Sequence, residues 1–321
     1  MCEFITAGGF NHAELPDSLV REGALMRDAL LRDLALLPYE ISTTVDARLS
    51  EPVLVPRAIS VRKEDDVWQL WEAAIKAADA VWLIAPETGG LLKRLTELAV
   101  KNQKIVIGCG IKSIEITSSK LATYHVLQKA GIATIPTFTL ENWPKSQGQW
   151  LAKPDDGAGC DETFYFESRE ALVGCRASWI LAGSHIIQPF QAGKAASISC
   201  VMQASKAQIL SCNSQMIELK NNQLKFSGCI VNGMRDYWQT FETIANQIAE
   251  VLPDLAGYVG IDVMVDGSHV MVVEINPRLT TSYCGLAKAA GANPAKLIID
   301  ALTQENVTWP ILQQNRAIID V

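Results

Sequence analysis

Two apolar runs near the C-terminal end limit what this chain can fold into: Gly260-Ile261-Asp262-Val263-Met264-Val265 and Val272-Val273-Glu274-Ile275-Asn276-Pro277-Arg278. Each reads as a β-strand, and Asp266-Gly267 between them is a turn signal, so the pair is predicted to form an antiparallel hairpin. Side chains two apart share one face of a strand, so Glu274 and Asn276 point the same way. With Gly267-Ser268-His269 as a three-residue loop, Asp266 faces Val270 and Asp262 falls opposite Glu274. Two carboxylates and an amide oxygen then converge near one strand end, with Arg278 just beyond it. Oxygen ligands in that number suit Mg²⁺, which keeps several waters and shares one or two protein carboxylates with substrate phosphates. The alternative for the same pattern is an edge hairpin whose charges face solvent.

A second constellation lies upstream. Gln149-Trp150-Leu151-Ala152-Lys153-Pro154 reads as a strand ending in a lysine, and Asp155-Asp156-Gly157-Ala158-Gly159-Cys160 follows as a glycine-rich turn. Glycine lacks a Cβ and leaves φ free, so backbone N–H groups at Gly157, Ala158 and Gly159 can approach phosphate oxygens. Lys153 adds a point charge for the same phosphates. The spacing is neither that of the P-loop nor that of the dinucleotide fingerprint, and a surface turn is the alternative for Gly-Ala-Gly taken alone. The combination with the acidic hairpin is what makes the pattern specific.

From Ser119 to Tyr283 the chain resembles the ATP-grasp superfamily of carboxylate–amine ligases. The resemblance implies an α/β ATP-grasp fold preceded by a Rossmann-like (pre-ATP-grasp) parallel-sheet domain. It also implies ATP as cosubstrate with one or two Mg²⁺ ions, for which Mn²⁺ can substitute. In that family a lysine heading a helix and another ending a strand reach the ATP phosphates. Lys120, in Ser119-Lys120-Leu121-Ala122-Thr123-Tyr124-His125, matches the first, and Lys153 the second. The adenine-binding hinge is matched by His185-Ile186-Ile187-Gln188-Pro189-Phe190-Gln191-Ala192-Gly193, which puts Gln188 and Phe190 at the nucleotide. Many members carry Glu where Gln188 stands, and an acidic ribose ligand where this chain offers Lys194-Ala195-Ala196. An amide can still meet the adenine amino group, whereas the ribose contact has no match. The family's metal ligands fall on Asp262, Glu274 and Asn276, and its phosphate-facing arginine on Arg278. Arg278 and Lys153 are thereby implied to be catalytic. The implied chemistry is attack of a substrate carboxylate on the γ-phosphoryl group, then displacement of phosphate by an amine, with no protein nucleophile.

A narrower resemblance rests on three words. Cys2-Glu3-Phe4-Ile5-Thr6-Ala7-Gly8-Gly9, Ser18-Leu19-Val20-Arg21-Glu22-Gly23 and Asn276-Pro277-Arg278-Leu279-Thr280-Thr281-Ser282-Tyr283 look like the ligases of methanofuran biosynthesis. That implies glutamate and tyramine or tyrosine as substrates in a one-carbon carrier pathway. Asn213, Gln215 and Arg235 are candidates for substrate contacts, with solvated edge groups as the alternative. Thr281 and Tyr283 are candidates for setting acceptor choice. The competing functions are another amino-acid or carboxylate ligase of the superfamily and a paralogue that binds ATP without turnover. The presence of Asp262, Glu274, Asn276 and both lysines argues against the paralogue.

Composition narrows the rest. A chain of 321 residues holds two or three domains at ~100–200 residues each. Hydrophobic content of 49% with 20% charged residues excludes wholesale disorder. A net charge of -7 argues against nucleic acid as a partner, because phosphate neutralisation needs a basic face. Small-molecule substrates are the expected partners, with a homodimer as the one assembly considered. The 8 cysteines form no C-x-x-C pair and sit mostly in apolar runs, as reduced buried thiols of a cytoplasmic protein do. Cys160 is the single candidate nucleophile among them, against a structural thiol. The 4 histidines show no metal-ligand spacing. No basic segment followed by an apolar run marks a signal peptide, and no stretch approaches the ~18 apolar residues of a membrane span.

Residues 1–116 alternate short strands with helices, which argues for a parallel sheet covered on its faces. Strands are expected at Phe4–Thr6, Glu40–Val45, Ala80–Ala85 and Lys104–Gly108, with helices from Ser18, Asp66 and Gly90. A dehydrogenase-type Rossmann domain is the main alternative, but Ala7-Gly8-Gly9-Phe10 does not match its glycine turn. Glu87-Thr88-Gly89-Gly90 ends a strand and either binds substrate or turns the chain. Residues 117–186 are read as the small lid subdomain and 187–321 as the large subdomain with the metal site. There the residues Trp238, Phe241, Ile244, Ala245, Ile248, Val251 and Leu252 recur at helical spacing, and Pro253 stops the helix.

Overall fold

A computed structural model describes residues 1–50, 57–157, 160, 162–175 and 185–321. Its N-terminal part is built from parallel strand pairs: β1 (Cys2–Glu3) beside β5 (Leu83–Ile84), β2 (Ser42–Asp46) beside β3 (Arg57–Val61), and β4 (Ala80–Val81) beside β6 (Ile105–Val106). Helices α1 (Asp17–Leu34), α2 (Val67–Ala77) and α3 (Leu91–Lys101) join them. The expected 80–85 strand is therefore two strands interrupted at Trp82, one serving each side.

The first strand also differs from expectation. Phe4–Thr6 is not extended; the chain leaves β1 into a wide turn over Ile5–Gly9. The buried Glu3 carboxylate causes this, accepting from the N–H of Ile5 (3.2 Å) and from the N–H and hydroxyl of Thr6 (2.7 Å each). Those bonds satisfy backbone donors that a strand partner would otherwise take. Helix α1 begins one residue before Ser18, after Pro16, and no side chain caps it. Asp66, by contrast, caps α2 by accepting from Trp68 and Gln69 N–H groups.

Helices α4 (Ile111–Thr117) and α5 (Lys120–Lys129) lead into a ten-stranded antiparallel sheet. Its smaller wing is β7 (Phe138–Thr139), β8 (Trp150–Pro154), β9 (Phe164–Phe166) and β10 (His185–Pro189), with α6 (Arg169–Cys175) behind it. The larger wing is β11 (Lys194–Gln203), β12 (Lys206–Lys220), β13 (Gln223–Val231), β14 (Gly257–Asp266), β15 (His269–Asn276) and a C-terminal β16 (Ala317–Asp320). Helix α7 (Trp238–Val251) packs on β12, burying Phe241, Ala245 and Ile248. Helices α8 (Leu286–Ala290) and α9 (Pro294–Thr303) cover the other face. Residues Val61, Trp71 and Leu95 of the N-terminal part share one hydrophobic core with Ile198, Ile261 and Val263 of the sheet.

The β14–β15 hairpin reaches the expected pairing by another route. Asp266 pairs with His269, so the turn has two residues, Gly267 and Ser268, rather than three. Gly267 takes φ +57°, as the first position of a tight hairpin turn requires. That register alone would place Asp262 opposite Val273. A β-bulge between Asp262 and Val263 leaves Val273 unpaired and sets Asp262 opposite Glu274.

Candidate active site

Lys120 opens α5, whose N-cap Ser119 accepts a hydrogen bond from Ala122 N–H. Its ammonium is buried and donates to the carbonyl of Gly157 at 2.5 Å. It also lies 3.4 Å from the Glu274 carboxylate. Asp155 ties the same loop to the helix: its carboxylate accepts from Leu121 N–H (2.8 Å) and its carbonyl from Lys120 N–H (3.1 Å). The head of α5 thus grips residues 155–157. Of the glycine-rich turn, Ala158 and Gly159 lie outside the described residues.

Asp262, Glu274 and Asn276 meet on one face of the hairpin, next to Gly157. The Asn276 amide donates to Asp262 at 3.4 Å, and Gln215, from β12, donates to the same carboxylate at 2.9 Å. Burial, and then the facing Glu274 carboxylate, push the Asp262 carboxyl well above its usual range. In Glu274 the cost of burial is outweighed by Lys120 and Lys153, which hold it below. Two carboxylates and an amide are the side chains here able to hold a divalent cation, whose charge would offset the repulsion between the facing carboxylates. Among the described residues no three His, Cys, Asp or Glu side chains converge. The set is too sparse for an all-protein cage and fits an ion that also takes waters and phosphate oxygens.

Lys153, near the end of β8, is buried beside this pair, and burial lowers its pKa to about 8 against the opposing pull of Glu274. Ile186 of β10 pairs with Lys153, and two residues further along Gln188 pairs with Leu151. Gln188 is buried and donates its amide to the Thr137 hydroxyl at 2.8 Å, while that hydroxyl donates to Ile135 carbonyl at 3.0 Å. A hydroxyl has one proton, so Thr137 can only accept from Gln188, and the amide orientation is fixed with its oxygen as the remaining acceptor. Phe190 is half-buried, edge-on to Tyr165 at 5.1 Å between ring centres. Lys194 is exposed, and the stretch Lys194-Ala195-Ala196 offers no acid for a ribose.

Arg278 is positioned by a close approach. A Cβ on Gly260 would lie 2.5 Å from the Thr280 methyl, so only glycine lets the segment after β15 fold back over β14. The Arg278 guanidinium donates twice to Glu87, at 2.8 and 3.1 Å, and once to Leu279 carbonyl. Burial opposes its charge, but Glu87 and then Glu22 and Glu274 raise its pKa. The turn holding Glu87 also reaches the glycine-rich turn after β8. Thr88 hydroxyl donates to Asp156 carbonyl (3.0 Å), and Gly89 N–H to Asp156 carboxylate (2.9 Å).

Thr137 carries no local signal in the sequence, and Glu87 shows only as part of the strand-end turn Glu87-Thr88-Gly89-Gly90, whose two glycines have positive φ; their partners Gln188 and Arg278 lie far along the chain. Asn213 is no solvated edge group: it is fully buried and donates to Ser197 and Ser199. Arg235 is exposed in the turn Arg235–Tyr237 before α7. Tyr283 is a core side chain whose hydroxyl donates to buried Asp33 at 2.8 Å, so it does not face an acceptor. Thr281 instead donates to Glu22 at 2.5 Å. No disulfide links the cysteines.

A model of the ATP-grasp domain matches residues 117–282, and a model of the pre-ATP-grasp domain matches residues 39–114. The chain belongs to the ATP-grasp family. A tyramine–L-glutamate ligase from Methanocaldococcus jannaschii is 26% identical over 317 residues, covering 96% of this chain and 90% of its own. A second one, from Methanocaldococcus fervens, is 28% identical over 233 residues, 73% of this chain and 69% of its own. Among solved structures, an ATP-grasp superfamily protein from Archaeoglobus fulgidus superposes with TM-score 0.74 at 24% identity, over 100% of this chain and 98% of that one. An L-amino acid ligase from Bacillus licheniformis shares the fold with TM-score 0.68 at 16% identity, over 85% of this chain and 71% of that one. The biotin carboxylase domain of Hydrogenobacter thermophilus 2-oxoglutarate carboxylase, solved with MgADP, gives TM-score 0.74 at 14% identity, over 92% of this chain and 71% of that one. ATP and Mg²⁺ are general requirements of ATP-grasp enzymes. Among the described residues no helix is long and apolar enough to cross a membrane.

Proposed function

We propose that this chain joins L-glutamate to tyramine, as an ATP-dependent carboxylate–amine ligase working through an acyl phosphate. One observation carries the reading: Lys120, Lys153 and Arg278 surround the facing carboxylates Asp262 and Glu274 in a chain whose relatives over most of its length are tyramine–L-glutamate ligases. Lys120 and Lys153 bind the terminal phosphates, Lys120 exchanging the Gly157 carbonyl for phosphate oxygen. Gly157, Ala158 and Gly159 supply loop amides to the same phosphates. Gln188 accepts from the adenine amino group, and Phe190 packs against the base. Asp262, Glu274 and Asn276 hold Mg²⁺, which when bound neutralises charge on the terminal phosphates.

The glutamate carboxylate attacks the γ-phosphorus in line and ADP departs. The neutral amine then attacks the acyl carbon, the bond from that carbon to the bridging oxygen breaks, phosphate leaves with this oxygen, and the nitrogen gives up a proton to leave the amide. Arg278 spends three N–H groups on Glu87 and Leu279, and the rest of its five donors hold the acyl phosphate. No protein nucleophile is required, because fixed charges and alignment lower the barrier. Cys160 has no part in it.

The test is incubation with ATP, Mg²⁺, L-glutamate and tyramine. Phosphate release and a product mass equal to both substrates less water are expected. With ¹⁸O in the glutamate carboxylate, label appears in released phosphate. Formation of AMP overturns the mechanism, and turnover with aliphatic amines but never with tyramine removes the substrate pair.

A further inference from the structure

The ligase reading leaves two carboxylates beside Arg278 without a task. Glu87 follows β5 and Glu22 lies on α1, so both come from the N-terminal part, while Arg278 comes from the end of the metal hairpin. Glu87 gives one oxygen, Oε2, to Arg278. Its other oxygen, Oε1, is buried and receives no hydrogen bond. Leaving a buried carboxylate oxygen unsatisfied costs free energy unless something else fills its coordination. Glu22 accepts from the Thr281 hydroxyl and lies close enough to Arg278 to strengthen its charge.

Two carboxylates against one guanidinium leave one negative charge in excess. A protonated primary amine brings one positive charge and three N–H donors, which matches the charge excess and the unspent acceptor on Glu87. Its place matters too. An amine that attacks an acyl phosphate must sit beside the group holding that phosphate, and Arg278 is that group in the ligase reading; the ammonium must also give up one proton before its nitrogen can attack, and a carboxylate of the seat can accept it.

We propose that Glu22 and Glu87 form the seat of the amine substrate, receiving its ammonium group next to Arg278. The inference rests on the ligase reading and adds to it which face of the site binds the nucleophile. Specificity for a cationic primary amine then comes from the N-terminal part, and the ATP-grasp part supplies the phosphoryl chemistry.

The experiment uses the full chain and two nucleophiles. Tyramine is cationic at neutral pH, whereas hydroxylamine is largely neutral and traps an acyl phosphate as a hydroxamate without needing an ammonium seat. In Glu22→Gln the KM for tyramine is expected to rise at least tenfold, with KM for glutamate and ATP within twofold of wild type. The ratio of amide to hydroxamate falls accordingly. Glu87→Gln is expected to show the same split, with thermal melting measured alongside because Glu87 also pairs with Arg278; Glu22, only partly buried, keeps the test valid if the Glu87 variant does not fold. A rise in KM for glutamate rather than tyramine assigns the carboxylates to the acid substrate and overturns the proposal. Unchanged kinetics in Glu22→Gln overturn it as well. Absence of hydroxamate from the wild-type protein overturns the ligase reading itself, and the amine seat with it.

Discussion

Asp262 stands opposite Glu274 only because Val273 is pushed out of the ladder between them. In the register set by the two-residue turn, Glu274 would lie on the far face of the hairpin from Asp262. The bulge turns both carboxylates to one side, where Lys120 and Lys153 meet them. A single extra residue in a strand thus decides whether the two carboxylates face each other.

Glu274→Gln keeps the shape of the side chain and removes its charge. The expected result is a 10²–10³-fold loss of kcat, corresponding to ~3–4 kcal/mol for one preorganised electrostatic group. Stabilisation against heat by nucleotide with Mg²⁺ should fall along with kcat. Wild-type turnover in this variant would make the hairpin structural.

Lys153 makes the protein sensitive to pH. Burial lowers its pKa to about 8 from the ordinary 10.5, so the unfolded chain binds more protons between those values. Stability from this residue therefore rises with pH through that window, and the penalty is fully present below it. Phosphate oxygens beside the amine should raise its pKa again. At pH 8 nucleotide binding is expected to take up about half a proton through Lys153. Calorimetric titration in buffers of different ionisation enthalpy measures this as a difference between wild type and Lys153→Met. No difference would place Lys153 away from the nucleotide.

Thr137→Val removes the group that fixes the Gln188 amide. Free to flip, the amide can meet either a donor or an acceptor on the base. Preference for ATP over GTP should fall by roughly tenfold, the size of one neutral hydrogen bond at ~1 kcal/mol or slightly more. Equal discrimination in wild type and variant would take Gln188 out of base recognition.

Tyr283→Phe tests the opposite kind of assignment. It leaves the buried Asp33 carboxylate without its phenol donor and should cost ~1–3 kcal/mol of stability. Urea unfolding reads that loss. KM for the amine should stay as in wild type, and a large rise would return Tyr283 to the acceptor site.

Much of the constellation was legible because it is local. Strand alternation puts Glu274 and Asn276 on one face, and a helix start points Lys120 at whatever lies before it. The turn length was misread, yet the pairing came out the same, since the shorter turn and the bulge cancel. Thr137 escaped, and Glu87 was legible only as part of a strand-end turn, because their meaning lies in Gln188 and Arg278, which only tertiary packing brings near. Tyr283 departs from expectation for the converse reason: five positions after Arg278, the short helical turn Thr281–Gly285 has already carried it into the core. The wide turn after β1 shows a carboxylate overriding strand propensity, which no periodicity count detects.

Strand β9 meets the larger wing at the tip of one long hairpin. Phe164 pairs with Gln223, and the backbone bonds there run from Tyr165 to Asn222 and from Leu224 to Thr163. Asn221 and Asn222 form that tip, both with left-handed backbone. A smaller wing that swings open would have to break these backbone hydrogen bonds as well as those that tie Asp155 to α5 and Asp156 to the turn at Thr88 and Gly89. Sequence change at those two asparagines therefore offers a way to alter how fast product escapes while the chemistry stays untouched.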